Sequence, residues 1–303
     1  MSAPKPILYH YHFSPYAHKI SYYLTLRSLP FFTVPQPPVL PRPDLALLGI
    51  TYRRIPLLAL GNVVYADTPL ILAELEQRFP DGALGGGEEA KTWAKWSDKV
   101  FRSAVGCIPA NAVTGSEAFR KDREDFQGRA LPAGAAAANR PRALAGLAKG
   151  FEKVEDTLKD GRDWIMSGKV TLADVNAVWV LEWMINLQGA LEGSDITKEK
   201  YPLTFAWVER FLGCMGKIAR GDLITGEQAK AMILAEAEEE KAGDTAKVTP
   251  VDTGRNHPQF GRLVACEGGR VILEVTPSEE SRTVKVVFPE DGFEVATADA
   301  AKL

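Results

Sequence analysis

Residues 7–16 read ILYHYHFSPY, and the fold follows from how that stretch is taken. Ile7–His12 reads as a strand, rich in the aromatic and β-branched residues that suit a pleated surface. Ser14-Pro15 then reads as a helix start, with serine at the N-cap and proline at the first helical position. A strand feeding directly into a capped helix, Pro15–Leu29, opens a β-α unit, and Phe31–Val34 supplies the next strand. Pro35, Pro37, Pro38, Pro41 and Pro43 follow, a stretch that can hold neither a helix nor an inner strand. A short helix is expected at Asp44–Leu48. Gly61-Asn62 between Leu57–Leu60 and Val63–Tyr65 marks a hairpin. Pro69–Phe79 is helical, with Ile71, Leu72 and Leu75 on one face. The order β-α-β-(α)-β-β-α implies a small mixed sheet with helices against it.

Beyond that segment the composition changes. All six tryptophans, at 93, 96, 164, 179, 183 and 207, fall in a middle stretch of helical periodicity. Helices are expected at Thr92–Cys107, Ala143–Leu158, Thr171–Leu187 and Pro202–Leu212. The alanine-rich patch Leu131–Asn139 reads as a weak helix or a loop. An acidic run, Glu236 and Glu238–Glu240, reads as a solvated helix end or linker. After it, strands are expected at Arg262–Cys266, Arg270–Thr276 and Arg282–Phe288, a meander small enough to lean on the main body. The domain expectation is therefore 1–83 for the mixed sheet, 88–235 for the helices and 248–303 for a small β extension.

The chain has 303 residues, 46% of them hydrophobic and 25% charged, which excludes wholesale disorder. Its net charge of −3 argues against generic nucleic-acid binding through a basic field. Cys107, Cys214 and Cys266 lie far apart, with no metal-binding spacing and no disulfide framework; the two in helical stretches, Cys107 and Cys214, read as core residues. The first residues lack the apolar core of a signal peptide, and no apolar run is long enough to span a bilayer. A cytoplasmic protein with no membrane partner and no metal is expected.

Three short motifs carry candidate chemistry. Ser14 can cap its helix and still donate its own proton to an anion, where the helix N-terminus adds partial positive charge. Ile55-Pro56, preceded by Arg53-Arg54, is an ordinary edge proline or, if cis, a site that turns the Ile55 backbone outward to pair with an extended peptide. Asp67-Thr68-Pro69 is a helix start, with Thr68 as N-cap, or a carboxylate site at a helix N-terminus with Asp67 beside it for an ammonium group. Further on, Thr171-Leu172-Ala173-Asp174 reads as a capping box.

Together, in this order and spacing, Ser14-Pro15, Ile55-Pro56 and Asp67-Thr68 resemble the N-terminal, thioredoxin-like domain of the glutathione S-transferase superfamily. Val170-Thr171-Leu172-Ala173-Asp174, Tyr201-Pro202-Leu203 and Trp207-x-x-Arg210 are similar to motifs of its all-α second domain. The resemblance covers residues 7 to about 215. Thr68 stands where serine is usual, the proline-rich stretch is atypical, and the β tail has no counterpart in the ordinary family. These departures look more like a divergent fungal-type branch, with secondary metabolism as the setting, than the housekeeping detoxification that the family resemblance also implies.

The resemblance implies an enzyme and a likewise family-derived set of contacts. Ser14 would face the glutathione sulfur, with Tyr16 as a fallback donor beside it. Thr68 and Asp67 would hold the γ-glutamyl end, the Ile55-Pro56 backbone the cysteinyl part, and Arg54 the glycyl carboxylate. The thiolate would add to a hydrophobic electrophile held between the domains near Tyr16, by conjugation or by glutathione-assisted isomerisation. A homodimer is also implied. The competing expectation is a non-catalytic binding or scaffold protein that uses the β extension to dock a partner.

Overall fold

The computed structural model describes residues 4–109, 117–132, 134–166, 168–239 and 243–297. Glu240, at the end of the acidic run, lies outside the described residues, as do residues 1–3 and 298–303.

Ile7–His10 (β1), Phe32–Pro35 (β2), Leu57–Leu60 (β3) and Val63–Ala66 (β4) form the expected mixed sheet. β1 runs parallel to β2 and antiparallel to β3, and β3 and β4 are the expected hairpin. Pro15–Leu26 (α1), Pro43–Ala46 (α2) and Thr68–Arg78 (α3) complete this unit. The strands alternate between two cores. Leu8, Leu58, Leu60 and Tyr65 join the core that α1, α3 and the helical domain share, whereas Ile7, Tyr9, Leu57, Ala59, Val64 and Ala66 join one on the opposite face. That two-sided burial explains why the strands read as continuous apolar runs.

The helical domain comprises Gly87–Val105 (α4), Glu117–Gln127 (α5), Ala135–Leu158 (α6), Leu172–Asn186 (α7) and Pro202–Met215 (α8). Most of the alanine-rich patch is helical, because α6 begins at Ala135. The capping box at α7 forms as expected: the Thr171 hydroxyl accepts from the Ala173 N–H at 3.3 Å, and Asp174 accepts from the Thr171 N–H at 2.9 Å. Asp174 is fully buried and also accepts from Ile165 N and Trp207 Nε1 at 2.8 and 3.0 Å, so one carboxylate ties the preceding loop, α7 and α8 together. The remaining elements are Asp222–Leu223 (β5), Gly226–Ala235 (α9), Thr245–Pro250 (β6), Gln259–Glu267 (β7), Arg270–Val275 (β8), Val284–Pro289 (β9) and Phe293–Thr297 (β10).

β9 pairs in parallel with the outer edge of β4, and the sheet continues through β8, β7, β6 and β10; at the other end β5 pairs with β2. The result is one ten-stranded sheet in the order β10-β6-β7-β8-β9-β4-β3-β1-β2-β5. The extension has no separate core. Val271, Leu273, Val284, Val286 and Phe288 pack into the same cluster as Ile7, Tyr9 and Val64, under α2 and α9. Five tail strands form where three were expected, because β6 and β10 are stabilised by pairing with each other and with β7 rather than by a local apolar pattern. Cys107 is buried as expected, but Cys214 is exposed, and its reading as a core residue is corrected.

Candidate functional site

Ser14 ends the connection from β1 and caps α1 in an extended conformation, its Oγ accepting from the Ala17 N–H at 3.3 Å. Proline follows at the first helical position, so the predicted start of α1 is correct. The Ser14 side chain is buried, and its own hydroxyl proton has no acceptor among the described residues.

Asp67, not Thr68, caps α3, which corrects the expectation for that helix. Its carboxylate accepts from the Thr68 N–H at 2.8 Å, and its φ of +74° lies in the left-handed region that an aspartate seldom adopts. Such backbone costs of order 1–3 kcal/mol and persists only where its surroundings hold it. Because Asp67 does the capping, the Thr68 hydroxyl is released from it. That oxygen is fully buried and has no hydrogen-bond partner among the described residues.

The Ile55–Pro56 bond is cis, and the Ile55 backbone makes no backbone hydrogen bond among the described residues. Arg54, immediately before it, is already engaged. It forms an ion pair with Asp252, and its Nε and Nη2 donate to the Thr253 carbonyl at 3.0 and 2.6 Å. Tyr16 is also committed elsewhere: its hydroxyl donates to Asp98 of α4 at 3.2 Å. Burial, together with Asp98 and Asp67, pushes that hydroxyl well above its ordinary pKa. Tyr16, the expected fallback donor, is thus paired with Asp98 in this structure. Its ring instead packs on Trp179 and Phe101, with centroids 4.5 and 4.8 Å away, and Phe101 stacks on Trp183 at 5.6 Å.

Two groups escaped the sequence reading, and a third was named there without its role. Lys19 is fully buried on α1, 5.9 Å from the Trp179 ring; burial brings its ammonium down to about 8, against the pull of Asp98 and Asp67. The signal was available, because Lys19 lies three residues after Tyr16 and four before Tyr23, on the packed face of α1. Asp98 was missed for the same reason on α4. Burial raises both Asp67 and Asp98 above the usual carboxylate range, while Arg54 and Lys19 pull Asp67 back and Lys19 pulls Asp98 back. Tyr16, Lys19, Arg54, Asp67 and Asp98 thus form one electrostatically coupled group where α1, α3 and α4 meet.

Arg53 is the third. Its buried guanidinium faces away from this group and pairs with Asp122 at 2.9 Å and with Asp125, both on α5. His257 and Asn256, from the β6–β7 connection, reach the same Asp125 at 2.6 and 3.1 Å. Burial pushes Asp122 and Asp125 up, but the Leu40 N–H and the guanidinia of Arg123 and Arg53 outweigh it at Asp122. Asn256, His257 and Arg53 do so at Asp125, and both end below the usual 3.8. Carboxylates held low in the fold contribute stability that is complete above the unfolded value and lost as pH falls through the folded one. On acidification below the ordinary aspartate value of ~3.9, amide protection should therefore disappear first in α5 and residues 251–258. Loss of protection in β1–β4 at the same pH would contradict this.

Surface hollows of about 480 and 210 Å³ lie elsewhere, beside Pro141, Leu144 and Asp195 and beside Ile108, Arg140 and Glu192. Among the described residues no group of three or more His, Cys, Asp or Glu is placed to hold a metal, and no helix is long and apolar enough to cross a membrane.

Residues 8–85 match the family model of the glutathione S-transferase N-terminal domain, and residues 103–219 match a domain of unknown function, DUF7962. No curated protein matches the chain. Among solved structures, a GST-like protein from Pseudomonas syringae is similar over 98% of this chain and all of its own, with TM-score 0.74 and 22% identity. A glutathione S-transferase from Methylobacterium radiotolerans, in complex with glutathione sulfonate, matches 73% of this chain and 98% of its own at TM-score 0.53 and 20% identity. One from Methylobacillus flagellatus with glutathione bound matches 71% and 99% at TM-score 0.54 and 20% identity. At these identities the likeness is one of fold. The Pseudomonas syringae protein shares it over nearly the whole chain.

Proposed function

From the premise that this chain belongs to the glutathione S-transferase superfamily through its N-terminal domain, we propose that it binds glutathione and adds its thiolate to a hydrophobic electrophile. The observation that carries the reading is the buried, unpartnered Thr68 hydroxyl beside the left-handed Asp67 cap. A buried hydroxyl without a partner costs roughly 1–3 kcal/mol, a cost that an arriving carboxylate removes. Asp67 then faces the ammonium of the same γ-glutamyl group. The unpaired Ile55 backbone is suited to an extended cysteinyl segment, and Arg54 to the glycyl carboxylate. Glutathione bound to the Methylobacillus flagellatus and, as its sulfonate, to the Methylobacterium radiotolerans structural relatives supports the choice of ligand.

The sulfur would lie at the N-terminus of α1, where the free proton of Ser14 can be donated to it. A hydrogen bond to a charged acceptor contributes ~1.5–3 kcal/mol and a helix N-terminus ~0.3–1 kcal/mol. At ~1.36 kcal/mol per unit, a thiol of pKa ~8.5 falls by roughly one to three units, enough to make thiolate the main form near neutral pH. The proton leaves to solvent and no general base is needed. The thiolate pair then forms the C–S bond, and the electrophile's leaving group or π electrons take the charge. The half-buried rings of Tyr16, Phe101 and Trp183, packed edge-to-face and stacked, offer an aromatic surface for that electrophile, whether the thiol stays attached or leaves after isomerisation. The site residues, a homodimer and a cytoplasmic setting are part of this proposal.

A thermal-shift titration with reduced glutathione tests it. A ligand at ~100 times its dissociation constant adds ~2.7 kcal/mol of stability. A rise in melting temperature is expected for the wild type and is expected to vanish in Asp67→Ala. No rise for the wild type at millimolar glutathione would rule the reading out.

A further inference from the structure

We propose that Asp252 competes with the bound ligand's carboxylate for Arg54, which makes residues 251–258 a selectivity strap laid across the candidate site. The inference rests on the glutathione reading above and adds a determinant that the N-terminal domain does not contain. The strap connects β6 to β7 and is fastened at both ends. Val251 N donates to the Gly292 carbonyl at 3.0 Å, and the Thr51 hydroxyl donates to the Pro258 carbonyl at 2.6 Å. Its middle is fastened to α5, where Gly254 N donates to the Phe126 carbonyl at 2.7 Å and His257 meets Asp125 at 2.6 Å. Gly254 has φ +74° and passes so close to the neighbouring arginine that a Cβ there would lie 3.1 Å from Arg53 Cγ. The strap is therefore placed by contacts that do not involve Asp252.

Against that fixed backbone, Asp252 is the adjustable part. Its carboxylate is 63% exposed, whereas the Arg54 side chain is 21% exposed, so the acid reaches the guanidinium from the solvent side. An ion pair of that kind is weak and can be exchanged. The Thr253 carbonyl takes two of Arg54's N–H groups, and Asp252 takes part of what is left. With the Nε edge held by Thr253, a ligand carboxylate that takes Arg54 in two hydrogen bonds needs the Nη1–Nη2 edge, where Asp252 already holds Nη2. Binding glutathione therefore requires Asp252 to swing out, whereas a ligand whose glycyl carboxylate is blocked leaves it in place.

The test measures the affinities of glutathione and of its glycyl monoethyl ester for wild type, Asp252→Asn and Asp67→Ala by isothermal titration calorimetry. Asp252→Asn removes the charge and keeps the size. It is expected to tighten glutathione roughly fivefold at low salt, to leave the ester unchanged, and to lose its advantage as salt is raised. An equal gain for both ligands would reduce the strap to a steric cover and overturn the proposal, as would no change or a loss for glutathione. If wild type binds glutathione, Asp67→Ala does not, and Asp252→Asn equals wild type, the strap proposal alone fails. If wild type binds neither ligand, the glutathione reading fails and takes the strap proposal with it.

Discussion

Ser14→Ala is expected to lower kcat/KM for transfer of glutathione to an aryl halide by about 10- to 100-fold, the range corresponding to one charge-assisted hydrogen bond. The pH profile should move to higher pH as well, because the bound thiol returns toward ~8.5 when its donor is removed. Ultraviolet absorbance of the enzyme-bound thiolate, titrated with pH, reads the shift directly. Alanine also deletes the cap that Ser14 Oγ provides to Ala17 N, worth ~1 kcal/mol of stability. Ser14→Thr separates the two roles, since it keeps both cap and hydroxyl and should recover most of the profile. A Ser14→Ala enzyme that loses stability but keeps the wild-type pH profile would confine Ser14 to capping.

Asp174→Ala is expected to have the largest effect on folding. The fully buried carboxylate accepts from Ile165 N, Thr171 N, the Thr171 hydroxyl and Trp207 Nε1. Alanine leaves these donors buried without an acceptor and cuts the tie between the loop before α7 and helix α8. Stranding several buried donors costs about 3–5 kcal/mol, a large share of the ~5–15 kcal/mol typical of a folded chain. Urea unfolding should show the midpoint falling, and Asp174→Asn, which keeps one accepting oxygen, should fall less. Equal midpoints for wild type and Asp174→Ala would contradict the assignment.

Which features could be read before the structure follows from how local each one is. The α1 start at Ser14-Pro15, the Gly61-Asn62 hairpin and the Thr171–Asp174 box are written in residues a few positions apart, and all three form as expected. The Asp67 cap was misassigned because threonine is a common cap and nothing in the local pattern announces a left-handed aspartate. Arg54 was found, but its occupation by Asp252 was not, because the partners are 198 residues apart. The same limit hid the joining of β9 to β4 and the pairing of α5 with Arg53. Strand-edge pairing uses backbone groups that every residue carries, so side-chain patterns do not reveal it.

The order of the sheet has a consequence for synthesis. Val63 of β4 pairs with Lys285 of β9, a contact between residues about 220 positions apart and hence of very high contact order. While the chain leaves the ribosome, β1–β4 and the helical domain are complete long before β9 exists. Through that interval the β4 edge has no neighbour, and the core that β8 and β9 later fill is open on one side. An unpaired strand edge beside exposed apolar surface is a template for association with other chains. The nascent protein thus passes through a stage that needs protection, and release from it coincides with delivery of the strands from Thr245 onward.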